Sequence, residues 1–333
     1  MKTQAEVGRR KAKGFRFFLF AFFLCAIAGP AIAQQYPSRP IRIIVPQSPG
    51  GTTDLTGRLV AQALSERFGH PVIVDNRPGA GSLNGIDLVA KAAPDGHTLL
   101  VVASSLSIIP SMYRQVPFDA ARDLAAITTL STYPNVVVAH PAVPASSMRE
   151  LIAYAKTKPG ALNYASGGVG TGTQLTAELF RIMAGIDMAH IPYKGGGPAL
   201  TALIGGQVQL YFAALPSTVT VLKTGKVKAL AVTSARRSPA LPGVPGMAET
   251  AGLAGYDEVT WNGLLAPART PAPIVKRLYA ETSAALAAPA LRERFAADGA
   301  EAAGIKPEEF AALIKSEIAK WAKVTRAAGI QPE

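Results

Sequence analysis

The 333 residues are 49% hydrophobic and 17% charged, with 31 Gly, 26 Pro and one Cys; so apolar a chain is not disordered, and Gly without a Gly-x-y period excludes collagen and marks tight turns. The length suits about two domains of roughly 150 residues. Outside a basic N-terminal stretch the positive charge is scattered, with Arg236-Arg237 the densest pair, which argues against the clustered basic stripe of a nucleic-acid interface and suits small anionic ligands.

In chain order, the first segment is a basic head (Lys2, Arg9, Arg10, Lys11, Lys13, Arg16), an apolar run over 17–29 and a small-x-small site, Ala31-Ile32-Ala33, before Gln34. The run is shorter than the ~20 residues of a spanning helix, so 1–33 is expected to be an export signal cleaved after Ala33, delivering the protein to the periplasm. Its removal takes six Lys/Arg, one Glu and Cys25, leaving a mature chain of net charge +7 without a thiol. No disulfide, thiolate nucleophile or Cys-ligated metal is then available.

The mature chain alternates short β-branched runs with helical patterns. A strand is expected over 41–45, a helix over 55–68 (Leu55, Leu59, Val60, Ala63, Leu64 and Phe68 at helical spacing), a strand over 72–74, a turn-rich loop over 76–81, a helix over 83–92 and a strand over 98–102. The pattern restarts with a strand over 136–138, a helix over 147–156, a strand over 163–165, a helix over 173–183, and strands over 208–212 and 228–232. A strand over 261–266 and helices over 272–287, 290–297 and 307–328 complete it. Such alternation means βαβ units. The expected fold is α/β with two lobes, each a mainly parallel sheet flanked by helices. More than one strand should cross between the lobes, with a ligand cleft between them.

Two loops stand out. Pro46-Gln47-Ser48-Pro49-Gly50-Gly51-Thr52-Thr53-Asp54 leads from a strand into a helix. The first turn of a helix has unpaired N–H groups and the positive end of the dipole, and Gly50 and Gly51 allow close backbone approach, so this is an anion cradle. The competing reading is an ordinary βα turn capped by Thr53 or Asp54. Ser166-Gly167-Gly168-Val169-Gly170-Thr171-Gly172-Thr173 repeats the arrangement in the other lobe. It has neither the dinucleotide fingerprint nor the Gly-Lys-Ser/Thr of a phosphate loop. Two such helix starts on one cleft would hold a carboxylate from each side. A third loop is His190-Ile191-Pro192-Tyr193-Lys194-Gly195-Gly196-Gly197. No Gly-x-Ser-x-Gly elbow, metal-ligand spacing or carboxylate pair accompanies these loops, so no catalytic residue and no metal ligand is assigned.

Taken in order with Val74-Asp75-Asn76-Arg77-Pro78-Gly79-Ala80-Gly81, Pro94-Asp95-Gly96-His97-Thr98-Leu99, Leu215-Pro216-Ser217 and Trp261-Asn262-Gly263-Leu264-Leu265-Ala266-Pro267, these segments resemble the Bug-type periplasmic solute-binding receptors of tripartite tricarboxylate transporters. The resemblance covers essentially all of 36–330. It implies a Venus-flytrap protein that closes on a small organic anion and delivers it to membrane permease subunits, a monomer without cofactor or enzymatic activity. Its domains would be 34–137 with 259–333, and 138–258. The contacts it implies are Gln47, Gly50, Gly51, Thr52 and Asp54; Gly81, Ser82 and Asn84; Ser104; Ser166, Gly170 and Thr171; and Tyr193, Lys194 and Gly195. The alternatives are a periplasmic sensor that presents the liganded form to a signalling partner, or a periplasmic hydrolase or isomerase. Three positions depart from the family pattern: Gln47 replaces an aromatic residue, Gln174 a frequent His, and Ala213 an Asp. A neutral Gln47 and the missing carboxylate at 213 favour a mono- or dicarboxylic acid without an amino group.

Overall fold

The computed structural model describes residues 36–332; the export signal expected over 1–33 and its cleavage site lie outside the described residues. The first sheet is built on β1 (Ile41–Val45), which pairs in parallel with β2 (Val72–Asn76) and β3 (Thr98–Ala103). Beyond β3 it continues antiparallel, through β9 (Val259–Pro267) to β4 (Leu124–Ala139), with the short β10 (Glu301–Ala302) also on β4. The second sheet joins β5 (Asn163–Ser166) in parallel to β6 (Ala189–Pro192) and β7 (Leu210–Ala214). Both β7 and β8 (Lys228–Val232) run antiparallel to β4. Each sheet is thus parallel in one three-strand block and antiparallel where it meets β4.

Strand β4 belongs to both sheets. It pairs with β9 as far as Pro134 and with β7 from Asn135 onward. Only its last residues read as a strand in the sequence, because Thr128, Thr129, Ser131 and Thr132 dilute the apolar pattern. Three of these hydroxyls are satisfied inside: Thr128 Oγ1 donates to Ile305 O at 2.7 Å, Thr129 Oγ1 accepts from Gly304 N at 3.2 Å, and Ser131 Oγ accepts from Asn262 Nδ2 at 3.1 Å. A buried strand carries polar residues when each finds a partner.

Helices cover both sheets: α1 (Thr52–Phe68), α2 (Leu83–Ala90), the single turn α3 (Ile109–Met112), α4 (Met148–Thr157), α5 (Gly172–Ala184), α6 (Gly196–Ile204), α7 (Leu215–Leu222), α8 (Ala272–Ala287), α9 (Pro289–Ala297) and α10 (Pro307–Ala327). The sequence reading missed α6, whose first turn is Gly196-Gly197-Pro198, and α7, which starts Leu215-Pro216. Breakers are tolerated only in that first turn, where the lost N–H has no helical partner. Strand β6, read as a loop, is a short edge strand ending in Pro192 with little buried surface.

Two segments cross between the sheets, β4 at Pro134-Asn135 and the chain at Glu258-Val259, and they pair with each other. Thr233 braces both. Its Oγ1 accepts from Asn135 N (2.9 Å) and donates to Glu258 O (2.7 Å). The Glu258 carboxylate, 2% exposed, meets Lys320 Nζ of α10 at 2.6 Å, and Lys320 also meets Glu317 at 2.7 Å. On the same helix Trp321 and Val324 pack with Leu175 of α5 and with Ile108 and Met112, closing an apolar cluster across the two halves.

Burial pushes the Glu258 carboxyl up to about 7, against the pull of Lys320. A carboxyl raised in the folded state contributes stability that is complete below its ordinary 4.5 and is lost as pH rises through 7. In urea unfolding between pH 4.5 and 8, the stability of the wild type relative to Glu258→Gln is therefore expected to fall across that window. A second expectation concerns Gly263, where an added Cβ would overlap the Phe310 ring, itself edge-on to Trp261 at 5.0 Å. Gly263→Ala is expected to cost about 1–3 kcal/mol in denaturant titrations, the usual range for overpacking.

Candidate functional site

The loop after β1 is tied down from inside. The Asp54 carboxylate, 2% exposed, accepts from Gly50 N (2.8 Å) and Arg58 Nε (3.0 Å) through Oδ2 and from Asn76 Nδ2 (2.9 Å) through Oδ1. Asn76 Nδ2 also donates to Gln47 O at 3.0 Å. Burial raises the Asp54 pKa, but these donors outweigh it and hold the group below the ordinary carboxylate range. Asp54 and Gly50 N–H are thus committed to shaping the loop. The N-cap of α1 is Gly51, which offers no side-chain cap, so the N–H groups of the first turn at Thr52 and Thr53 have no helical partner.

The neighbouring loop is strained. Ala80, Gly81 and Ser82 all have positive φ (44°, 60° and 85°), which costs the two non-glycine residues of order 1–3 kcal/mol each. Tyr113, immediately after α3, fills the space above Gly81, where a Cβ would overlap its hydroxyl. Ser82 is buried, Asn84 is exposed, and Ser104 is 4% exposed in the turn after β3.

The loop after β5 follows the same plan with different partners. Gly170 N donates to Gln174 Oε1 (2.7 Å), Gly167 N to Thr173 Oγ1 (3.0 Å), and Gly168 N to Ser166 Oγ (3.1 Å). Thr171 Oγ1 donates to Gly168 O at 2.7 Å. Thr171 is the N-cap of α5 and again makes no side-chain cap, leaving the first-turn N–H groups of Gly172 and Thr173 without a helical partner. The third loop packs on this one, since Tyr193 N donates to Ser166 O and Gly195 N to Gly167 O, both at 3.0 Å. Gly195, with φ 109°, is the N-cap of α6 and likewise provides no side chain. Lys194 is exposed and makes no ion pair among the described residues.

Strand β4 brings the helix starts together. Ser131, Tyr133 and Asn135 alternate along it and so share one face. Ser131 Oγ lies 3.3 Å from Thr56 Oγ1 in α1, the Tyr133 hydroxyl interacts with the Thr52 side chain, and Asn135 Nδ2 donates to Thr176 Oγ1 of α5 at 3.1 Å. The opening two turns of α1 and α5 therefore sit in succession along one face of β4. Further out, consecutive residues of α3 and its end touch one loop from each half: Met112 lies 3.3 Å from the Cβ position of Gly170, and Tyr113 covers Gly81. The sequence reading missed Met112, Tyr113 and Tyr133, none of which belongs to a glycine-rich motif. Among the described residues no cluster of three or more His, Cys, Asp or Glu groups is placed to hold a metal. A separate cavity of about 180 Å³ beside the crossing strands, lined in part by Tyr133, Arg236 and Glu301, contains none of these loops.

A family model for the tripartite tricarboxylate transporter family receptor, TctC, matches residues 56–330. Protein BugT of Bordetella pertussis is 38% identical over 308 residues, covering 91% of this chain and 93% of BugT. Rpa4515 of R. palustris, solved with adipate, superposes with a TM-score of 0.81 at 34% identity over 90% of this chain and all of that one. MatC (Rpa3494) of Rhodopseudomonas palustris, solved with bound malate, superposes with a TM-score of 0.75 at 32% identity over 87% and 99%. The family's members are periplasmic binding proteins of two lobes. With the family model spanning most of the sequence and the full fold shared, the chain belongs to the TctC family of receptors, in its Bug-type branch.

Proposed function

We propose that this protein is a periplasmic receptor that captures a small organic carboxylate between its two halves and delivers it, unchanged, to the membrane subunits of a tripartite transporter. The observation that carries this reading is the pair of uncapped helix starts at Gly51 and Thr171, set along one face of β4. Their free N–H groups and dipole ends attract an anion without needing a cationic side chain. The contacts are assigned to Gln47, Gly51, Thr52, Gly81, Ser82, Asn84, Ser104, Gly170, Thr171, Tyr193, Lys194 and Gly195. Asp54, Gly50 and Ser166 act behind them, holding the loops in shape. The lobes are assigned to 34–137 with 259–333 and to 138–258, and the protein works as a monomer after export.

The ligand class follows from what the loops lack. A buried ammonium needs a carboxylate partner, and Asp54, the acidic residue of these loops, already serves Gly50, Arg58 and Asn76. A mono- or dicarboxylic acid makes no such demand, and two related structures contain adipate and malate. Isothermal titration of adipate, succinate, malate and citrate beside aspartate and glutamate is expected to give binding for plain acids, with the acid recovered intact. Micromolar binding of an amino acid alone would exclude the assignment.

Gly51 supplies the cleanest single test. Its φ is −78° and only Ser48 O, at 3.8 Å, lies near its Cβ position, so valine there folds without strain. The branched side chain would stand where a carboxylate approaches the Thr52 and Thr53 amides. Gly51→Val is expected to keep the fold, losing at most about 1 kcal/mol at the N-cap, and to lose at least ~10-fold in affinity, a cost of about 1.4 kcal/mol. Unchanged affinity would move the site elsewhere.

A further inference from the structure

His190 lies outside the ligand contacts, yet it closes a chain of hydrogen bonds that shapes the second loop. It sits on β6 directly opposite Tyr164 of β5, the two rings stacked at 5.0 Å. Its Nε2 is 2.6 Å from Ser166 Oγ, and its Nδ1 is 3.2 Å from Gln174 Nε2. The Gln174 amide has its oxygen committed to Gly170 N–H at 2.7 Å, so its nitrogen faces the ring and can only donate. Nδ1 must then accept, and the ring proton resides on Nε2, which donates to Ser166 Oγ. The Ser166 hydroxyl is left to donate to Gly168 O at 3.0 Å while accepting from Gly168 N at 3.1 Å. Every donor in this chain has one acceptor, and both ends of it fix a glycine of the loop.

We propose that His190 is the positioning residue of the Gly168–Thr171 loop: its neutral ring, protonated on Nε2, holds Gly168 and Gly170 in the binding shape, and protonation of Nδ1 releases Gly170 and weakens carboxylate capture. This rests on the carboxylate-receptor reading given above. A charged imidazole has donors on both nitrogens, so Nδ1–H would oppose the Gln174 NH₂ group. Flipping that amide would satisfy the ring and set NH₂ against Gly170 N–H instead. One donor pair is left facing another in either arrangement, and Gly170 loses its anchor.

The charged and titratable groups around His190 come from β5 and α5. Tyr164 donates its hydroxyl to Glu178, and Arg181 pairs with the other oxygen of Glu178 at 2.7 Å. Burial disfavours the charged ring and Glu178 favours it; burial is the larger effect, so the ring titrates below the ordinary histidine range. The loop is therefore intact at neutral pH and loosens as pH falls through that depressed value.

Two measurements test this. In ligand-free protein, NMR titration of the His190 ring and the Gly170 amide is expected to give one shared midpoint, and a Gly170 amide that ignores the ring would overturn the proposal. Adipate titration calorimetry from pH 5.5 to 8 is expected to show affinity falling by up to about tenfold per pH unit below that midpoint. Gln174→Glu replaces the amide with two acceptors, which serve Gly170 N–H and a charged ring together. It is expected to raise the His190 midpoint and to remove the low-pH loss, whereas a midpoint equal to wild type would sink the relay. Titration of adipate itself is common to both proteins and cancels in the comparison. If no acid binds at any pH, the receptor reading fails, while the NMR arm still decides the role of His190.

Discussion

The organisation of the molecule depends on one strand shared by two sheets. Strand β4 pairs with β9 up to Pro134 and with β7 from Asn135, so its backbone ladder continues from one half into the other while its partners change. A ladder of that kind resists shear along the strand but bends where the partners change. Among the described residues the second crossing, at Glu258-Val259, lies beside it and is braced to it by Thr233. Whatever the loops at the ends of β1 and β5 hold, they hold it from positions set by a common rail.

That rail also explains why polar residues line the interior. Ser131, Tyr133 and Asn135 each reach a residue in the early turns of α1 or α5, fixing how far each helix start projects. The loops in front of these helices are shaped by a second polar layer: Asp54 with Asn76 in one half, Ser166 with Gln174 and His190 in the other. The two halves reach the same result, an open helix start, by unrelated chemistry. One uses an ionised carboxylate and the other a neutral relay, so only one of them is sensitive to mild acid.

Most of the architecture was legible in the sequence. The β-branched runs and the helices bounded by Gly69 and Gly185 lie where periodicity places them, since both glycines end their helices with positive φ. The sequence concealed elements whose stability comes from partners far along the chain. The front of β4 looks polar until Ile305 and Asn262 are in place, and α6 begins with residues that normally interrupt a helix. The glycine-rich loops were visible because an exposed glycine run has a local cause. Met112 and Tyr113 were not, because their contacts with Gly170 and Gly81 join residues far apart in the sequence. Asp54 stood among the contacts implied by the family resemblance, and the geometry shows its oxygens accepting from Gly50, Arg58 and Asn76.

The bare N-caps at Gly51 and Thr171 have a consequence for how this chain can change. Serine or aspartate at the first helix start would ordinarily make a protein slightly more robust, by a few tenths of a kcal/mol relative to glycine, and the backbone at Gly51 accepts either. In a receptor that reads acids with its helix ends, such a residue is an intramolecular competitor, a tethered mimic of the solute at very high local concentration. Selection for thermal robustness and selection for capture therefore oppose each other at this position. Under the proposed function the solute itself supplies the missing cap, and the folded protein would be finished only when it carries its cargo.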